Sequence, residues 1–82
     1  MEQIARTSNQ IGAALRRRRR SAGLSQSALG ARINLRQATI SALENGQPGT
    51  QLRTLIDVMV ALGLEMVVRD RSKAAETVED IY

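Results

Sequence analysis

The chain contains no cysteine, no histidine and, in 82 residues, a single aromatic side chain, Tyr82. Without cysteine or histidine there is no thiolate nucleophile, no Cys/His metal site, no disulfide and no imidazole base, which leaves only carboxylates and hydroxyls for any chemistry. No apolar run approaches the ~20 residues that a membrane-spanning helix requires, and the N-terminal residues lack the apolar stretch of a secretory signal. These absences lead us to expect a cytoplasmic, non-enzymatic protein with no metal, no cofactor, no membrane association and no small-molecule substrate. The length allows one domain with a core too small to enclose a roomy pocket, and chains this short commonly gain stability by oligomerising.

What is present is positive charge, unevenly placed. The formal net charge is +4, yet residues 1–40 carry eight arginines against Glu2, a net of +7, and residues 41–82 a net of −3. A basic half of this kind attracts a phosphate backbone and makes affinity fall with salt, although it could equally meet an acidic protein surface. Five of the arginines are consecutive, Arg16 to Arg20. At about 100° per residue they sweep around a helix, so they cannot all face one phosphate strand, and the run by itself reads as a solvated turn. Arg19 stands apart, because Ile11, Leu15 and Arg19 recur at i,i+4. That spacing places a charge on the inward stripe, where it requires a partner.

The segment Leu24 to Gly46 carries the main signal. Ser25 can accept a backbone N–H as an N-cap, and Leu24 and Leu29 occupy the two positions of a hydrophobic staple, so a helix starts at about Gln26. Leu29 and Ile33 share a face, and Asn34 tolerates a left-handed backbone, so the helix should stop there. From Gln37 onward Ile40 and Leu43 keep an apolar i,i+3 spacing, while Arg36, Gln37, Ala38, Ser41 and Ala42 lie off that stripe. Gly46 then caps the helix and Pro48-Gly49 forbids its continuation. Two short helices around a tight turn, the second with a polar outer face, spell a helix-turn-helix, which points to a DNA operator rather than a catalytic pocket.

At these residues the sequence resembles the lambda-repressor-like (XRE or Cro/CI) helix-turn-helix family: Gly23-Leu24-Ser25-Gln26, Ile40-Ser41 and Glu44-Asn45-Gly46 all match its pattern. Within it the chain looks most like the HipB-type antitoxins, through the segment Arg36-Gln37-Ala38-Thr39-Ile40-Ser41 and a short hydrophobic strand after the last helix. The turn residue, usually glycine, is here Asn34, and the usual Ser/Thr cap of the recognition helix is Arg36, so the first turn of that helix should be less firmly held. The resemblance implies an all-α bundle of four to five helices with a short C-terminal β-strand. It implies a structural ion pair between Arg19 and Glu44, and phosphate contacts by Gln26, Thr39 and Asn45 that fix register. It also implies a partner, a HipA-type Ser/Thr kinase toxin that the antitoxin neutralises while the complex represses their shared promoter. A stand-alone repressor of the same fold is the alternative.

Residue chemistry assigns the base contacts. Arginine bonds guanine bidentately and glutamine can do so with adenine in the major groove, so Arg36 and Gln37 are the candidates for base readout; Ala38 suits a thymine methyl, and Ser41 either a base or a phosphate. The remaining chain supplies scaffold. Ser8 or Thr7 can cap a first helix that runs to about Ser21, and Thr50 a last helix that carries Leu52, Leu55, Ile56, Met59, Val60 and Leu62 and is closed by Gly63; of these Leu55, Ile56 and Met59 read as core. In Leu64 to Arg69, Leu64, Met66 and Val68 alternate with Glu65, Val67 and Arg69, the period of a half-buried strand. No second strand is available, so Leu64, Met66, Val67 and Val68 are expected to pair antiparallel with a second copy in a homodimer, the other reading being an extension of the last helix or an irregular tail. Two recognition helices about a two-fold axis would match a palindromic operator. We therefore expect a DNA-binding domain over residues 8–69 and a flexible polar tail over 70–82, whose Ile81 and Tyr82 are candidate anchors for a protein partner.

Overall fold

The computed structural model describes residues 2–71, and within them the chain forms four helices: α1 (Ser8–Ser21), α2 (Gln26–Arg32), α3 (Gln37–Glu44) and α4 (Leu52–Ala61). The tail beyond Arg71, including the expected anchors Ile81 and Tyr82, lies outside the described residues.

Two of the four starts are capped by hydroxyls. Thr7 accepts the N–H of Gln10 and Ser25 accepts the N–H of Ala28, each satisfying a donor that the helix leaves without a partner. The start of α3, capped by Arg36, has no side-chain bond. Neither has α4, which differs from expectation: its N-cap is Gln51, and Thr50 instead donates its hydroxyl to the carbonyl of Gln47 across the preceding loop. Two glycines ahead of Gln51, at 46 and 49, with Pro48 between them, hold the loop in a turn that occupies Thr50 before the helix begins.

All four helices end by one device. The residues past the caps, Gly23, Asn34, Gly46 and Gly63, take φ of 73°, 57°, 73° and 69°. In each case the following N–H reaches back to a carbonyl in the last turn: Leu24 to Arg19, Leu35 to Gly30, Gln47 to Ala42 and Leu64 to Met59. This is the Schellman arrangement, and an apolar residue commonly follows the left-handed one and folds back on the helix. Leu24, Leu35 and Leu64 do so, packing against the core. The reversal at Asn34 brings α2 to an end at Arg32, two residues short of the asparagine itself.

The core draws on every element: Leu15 from α1, Leu29 from α2, Ile40 and Leu43 from α3, Val58 from α4 and Leu62 at its cap. Leu55 and Met59 pack against this cluster. Ile56 does not join it, contrary to the sequence reading, and is 46% exposed; Leu52 and Val60, on the same helix, are 64% and 71% exposed. The physical reason is that α4 is apolar on more than one side, and the buried cluster of the described residues covers only the side that carries Leu55, Val58, Met59 and Leu62. The segment after α4 is neither helix nor part of a ladder. The left-handed turn at Gly63 rules out an extension of α4, and Leu64 is taken by its own core, which leaves Met66, Val67 and Val68 exposed at 54%, 71% and 93%. The pairing expected over residues 64–69 is one between two copies, and a single chain does not display it.

Candidate nucleic-acid interface

Helices α2 and α3 pack closely, joined by the turn through Asn34, and α3 rests on α1 as well. Close approach is set by two helical glycines. A Cβ at Gly12 would collide with the backbone carbonyls of Leu43 and Glu44, and a Cβ at Gly30 with the carbonyl of Leu35. Ile40 and Leu43 point inward, fully or nearly buried, and this orients the other side of α3 to solvent. There Arg36, Gln37 and Ala38 are exposed at its N-terminal end, while Thr39, Ser41 and Ala42 are half-buried. Arg36, Ala38, Thr39 and Ala42 form one wall of an open hollow of about 480 Å³ whose other wall is Gln47, Gln51 and Thr54 from the loop and the start of α4.

Behind this face lies a buried charge. The Glu44 side chain is 1% exposed and that of Arg19 8%, with Arg19 Nε donating to Glu44 Oε2 over 2.6 Å and Arg19 NH2 to Oε1 over 2.9 Å. Arg19 NH1 also donates to the Leu24 carbonyl at 2.8 Å, so the guanidinium joins α1, the start of the helix-turn-helix and the end of α3. Burial pushes the Glu44 carboxyl up. Hydrogen bonds from Arg19 and Gln26, with the Arg19 charge and a bond from Arg16, outweigh that and hold it below the ordinary carboxylate range. The bond to Glu44 raises Arg19 above its own ordinary value against the opposing effect of burial.

From Glu44 a chain of amides leads outward. Gln26 Nε2 donates to Glu44 Oε1 over 3.1 Å, and Gln37 Nε2 donates to Gln26 Oε1 over 2.6 Å. On the other side Arg16 NH2 donates to Asn45 Oδ1 at 2.9 Å, which turns the Asn45 amide nitrogen toward Ser41, 3.5 Å from its hydroxyl. The residues selected from the sequence therefore fall in two groups. Gln37, Gln26, Glu44, Arg19, Asn45 and Ser41 are linked by these contacts, some through Arg16, whereas Arg36, Ala38 and Thr39 stand beside them outside the network.

Sequence reasoning passed over Arg16 and Arg18. Arg16 reaches Glu44 as well as Asn45, and Arg18 Nε donates to the Leu62 carbonyl at 3.0 Å, closing the C-terminal end of α4 with a cation. The arginine run contains no marker for these roles. The helix turns between them, so that Arg16 and Arg19 meet at Glu44 while Arg18 reaches Leu62 and Arg17 donates to Gln3. Among the described residues no group of three or more His, Cys, Asp or Glu side chains stands close enough to hold a metal ion, and no helix is long and apolar enough to cross a membrane.

Two helices set around a left-handed turn, the second with an exposed polar end and an inward apolar stripe, define a helix-turn-helix protein. A model of the helix-turn-helix domain family matches residues 10–71. Antitoxin HipB of Escherichia coli strain K12 is 35% identical over 66 residues, 80% of this chain and 75% of its own length, and Antitoxin HipB of strain O6:H1 (CFT073) is 35% identical over 80% of this chain and 70% of its own. Among solved structures, one described as a "HipB-O4 20mer complex" superimposes with a TM-score of 0.78 at 32% identity, and a "Structure of HipA-HipB-O2-O3 complex" with 0.77 at 32%, each covering 88% of this chain and 100% of the other. The chain belongs to the helix-turn-helix domain family and, within it, to the HipB-type antitoxins. Membership points to a regulator without catalysis.

Proposed function

We propose that this chain is an operator-binding antitoxin that represses its own promoter as a homodimer and neutralises a HipA-type Ser/Thr kinase. The observation that carries the DNA-binding part is the exposed N-terminal end of α3, with Arg36, Gln37 and Ala38 outward on a helix whose other side is anchored by buried Ile40 and Leu43. A rod of this kind fits the major groove. Arg36 would read guanine, Gln37 and Ala38 neighbouring base edges, and Ser41 a base or phosphate further along, while Gln26, Thr39 and Asn45 would grip phosphates. Supporting this reading, the solved relatives include HipB in complexes with an O4 20mer and with HipA.

The homodimer is supported by unpartnered apolar surface. Leu52, Ile56 and Val60 are exposed at successive turns of α4, and Met66, Val67 and Val68 follow in the chain, exposed without a ladder partner. A second copy related by a two-fold axis would cover both sets with one operation and pair the two 64–69 segments edge to edge. It would also set two recognition helices about one DNA turn apart, as a palindromic operator requires. In this reading residues 8–69 are the DNA-binding and dimerisation unit, and the tail from 70 to 82, with Ile81 and Tyr82, meets the kinase. Such a protein acts in the bacterial cytoplasm, where its DNA is.

Binding measured on a panel of duplexes tests the division of roles. Arg36→Ala should change the ranking of sequences, whereas Thr39→Val and Asn45→Ala should weaken all of them by similar factors. Equal losses on cognate and scrambled DNA for Arg36→Ala would refute base reading by that residue. Deleting residues 73–82 should release a co-expressed kinase and spare DNA binding; a deletion that abolishes DNA binding instead would contradict the assignment of the tail.

A further inference from the structure

Glu44 is neutralised without Arg16. Arg19 bonds both of its carboxylate oxygens, Nε to Oε2 and NH2 to Oε1, yet a second guanidinium stands beside it, with Arg16 Nε 3.5 Å from Oε1. Two cations on one carboxylate leave an excess of positive charge. Arg19 is buried, so the excess falls on Arg16, which is partly exposed. The same guanidinium donates through NH2 to Asn45 Oδ1 over 2.9 Å. Arginine has no acceptor, so the Asn45 amide can meet it only with its oxygen, and the amide NH2 is turned the other way, 3.5 Å from the Ser41 hydroxyl. What remains is a cluster of donors. Arg16 NH1 has no partner among the described residues, the Asn45 NH2 has that single long contact, and Asn45 Oδ1, which would repel an anion, is occupied by Arg16.

Resting on the reading of α3 as the recognition helix, we propose that Arg16 and Asn45 form a site for one phosphodiester of the DNA backbone, in which Arg16 binds the phosphate through its NH1 edge and turns the Asn45 NH2 toward it. The place of the pair on α3 fits this ligand. Gln37, Ser41 and Asn45 follow one another at i,i+4, so they lie along one side of the helix, with Asn45 about 12 Å beyond Gln37 on its axis. The major groove is itself about 12 Å wide, so a helix whose first turn meets base edges brings its far end to the phosphates that bound the groove. A helix C-terminus alone disfavours an anion, because its last carbonyls point outward. Arg16 supplies the cation that offsets them. Among the five consecutive arginines it alone is held against the end of α3 with N–H groups facing outward: Arg19 is buried, Arg17 and Arg18 are turned to Gln3 and Leu62, and no side-chain bond holds Arg20.

The test is binding of the full-length protein and its variants to a duplex carrying the DNA upstream of its own gene, measured across a salt series, with melting curves to check that each variant keeps the fold. Arg16→Met removes the charge and keeps the stem. It should weaken binding at least about tenfold, the lower end of what a charge-assisted hydrogen bond contributes, and flatten the plot of log affinity against log salt by about 0.9 per subunit. Arg16→Lys keeps the charge and should keep the wild-type slope. The turning of Asn45 is read from a double-mutant cycle, in which adding Asn45→Ala to Arg16→Met should cost less than Asn45→Ala costs alone. A slope unchanged by Arg16→Met overturns the phosphate site, since a residue that only props the end of α3 would lower affinity without changing how many ions are released. Strictly additive losses in the cycle overturn the orienting role of Arg16. A wild-type protein that binds no duplex overturns the recognition-helix reading beneath the proposal, and the proposal with it.

Discussion

At the scale of single residues, the stability of the molecule turns on Glu44, a charge buried behind the exposed end of α3. A carboxylate 1% exposed is tolerable only while Arg19 and Gln26 bond it, because an unpaired buried charge costs several kcal/mol. Arg19→Ala should therefore lower unfolding free energy by about 3–5 kcal/mol, a loss visible as a large drop in melting temperature; an unchanged melting curve would show that the pair does not hold the fold. The pH dependence follows from the same contact. The folded Glu44 carboxyl lies below its unfolded value, so the stabilisation it brings is fully present above the ordinary carboxylate pKa of about 4.3 and is lost as pH falls through the folded value. Wild type should lose stability on acidification in that range, and Glu44→Gln should remove part of the slope.

At the scale of elements, the ends of the helices were legible in the sequence and their contacts were not. Gly23, Asn34, Gly46 and Gly63 mark the stops because a left-handed backbone after a helix is a local demand that few residue types meet. Ser25 marks a start for a similar reason, since a hydroxyl before an apolar-periodic stretch has one obvious use. Gly12 and Gly30 carried no such signal: a glycine within a helix is explained only by what crosses it, here the end of α3 and the residue after the turn. Gly12→Ala separates these two kinds of information. Helix propensity alone favours alanine by about 1 kcal/mol, yet the added methyl would meet two backbone carbonyls that cannot rotate away. We expect a net destabilisation of about 1–2 kcal/mol in urea titration, and stabilisation would mean that α1 and α3 are further apart than described.

At the scale of the whole molecule, the surface left over by the fold is as informative as the core. The periodicity of α4 showed that it is amphipathic but not which of its apolar stripes a single chain would bury, so Ile56 read as core and stands 46% exposed. The Arg19–Glu44 contact joins residues 25 apart, and the spacing of Ile11, Leu15 and Arg19 revealed only one side of it; the other side came from the family pattern. The partners of Arg16 and Arg18 depend on where α3 and α4 end in space, which no local pattern records. The exposed residues Leu52, Ile56 and Val60 lead to a prediction at this scale. The wild-type protein should sediment as a dimer at micromolar concentration, and Ile56→Asp with Val60→Asp should sediment as a folded monomer that binds DNA far more weakly, since half of the paired contacts are lost. A monomeric wild type would leave no two-fold axis to match a palindrome. Insertion of the exposed end of α3 into a duplex is tested most directly by titrating the full-length protein onto the DNA upstream of its own gene and onto a scrambled duplex at one fixed salt concentration. We predict a protected palindromic site bound at least about a thousandfold more tightly than the scrambled duplex, whereas equal affinity for the two, or no protection at all, would contradict a recognition role for α3.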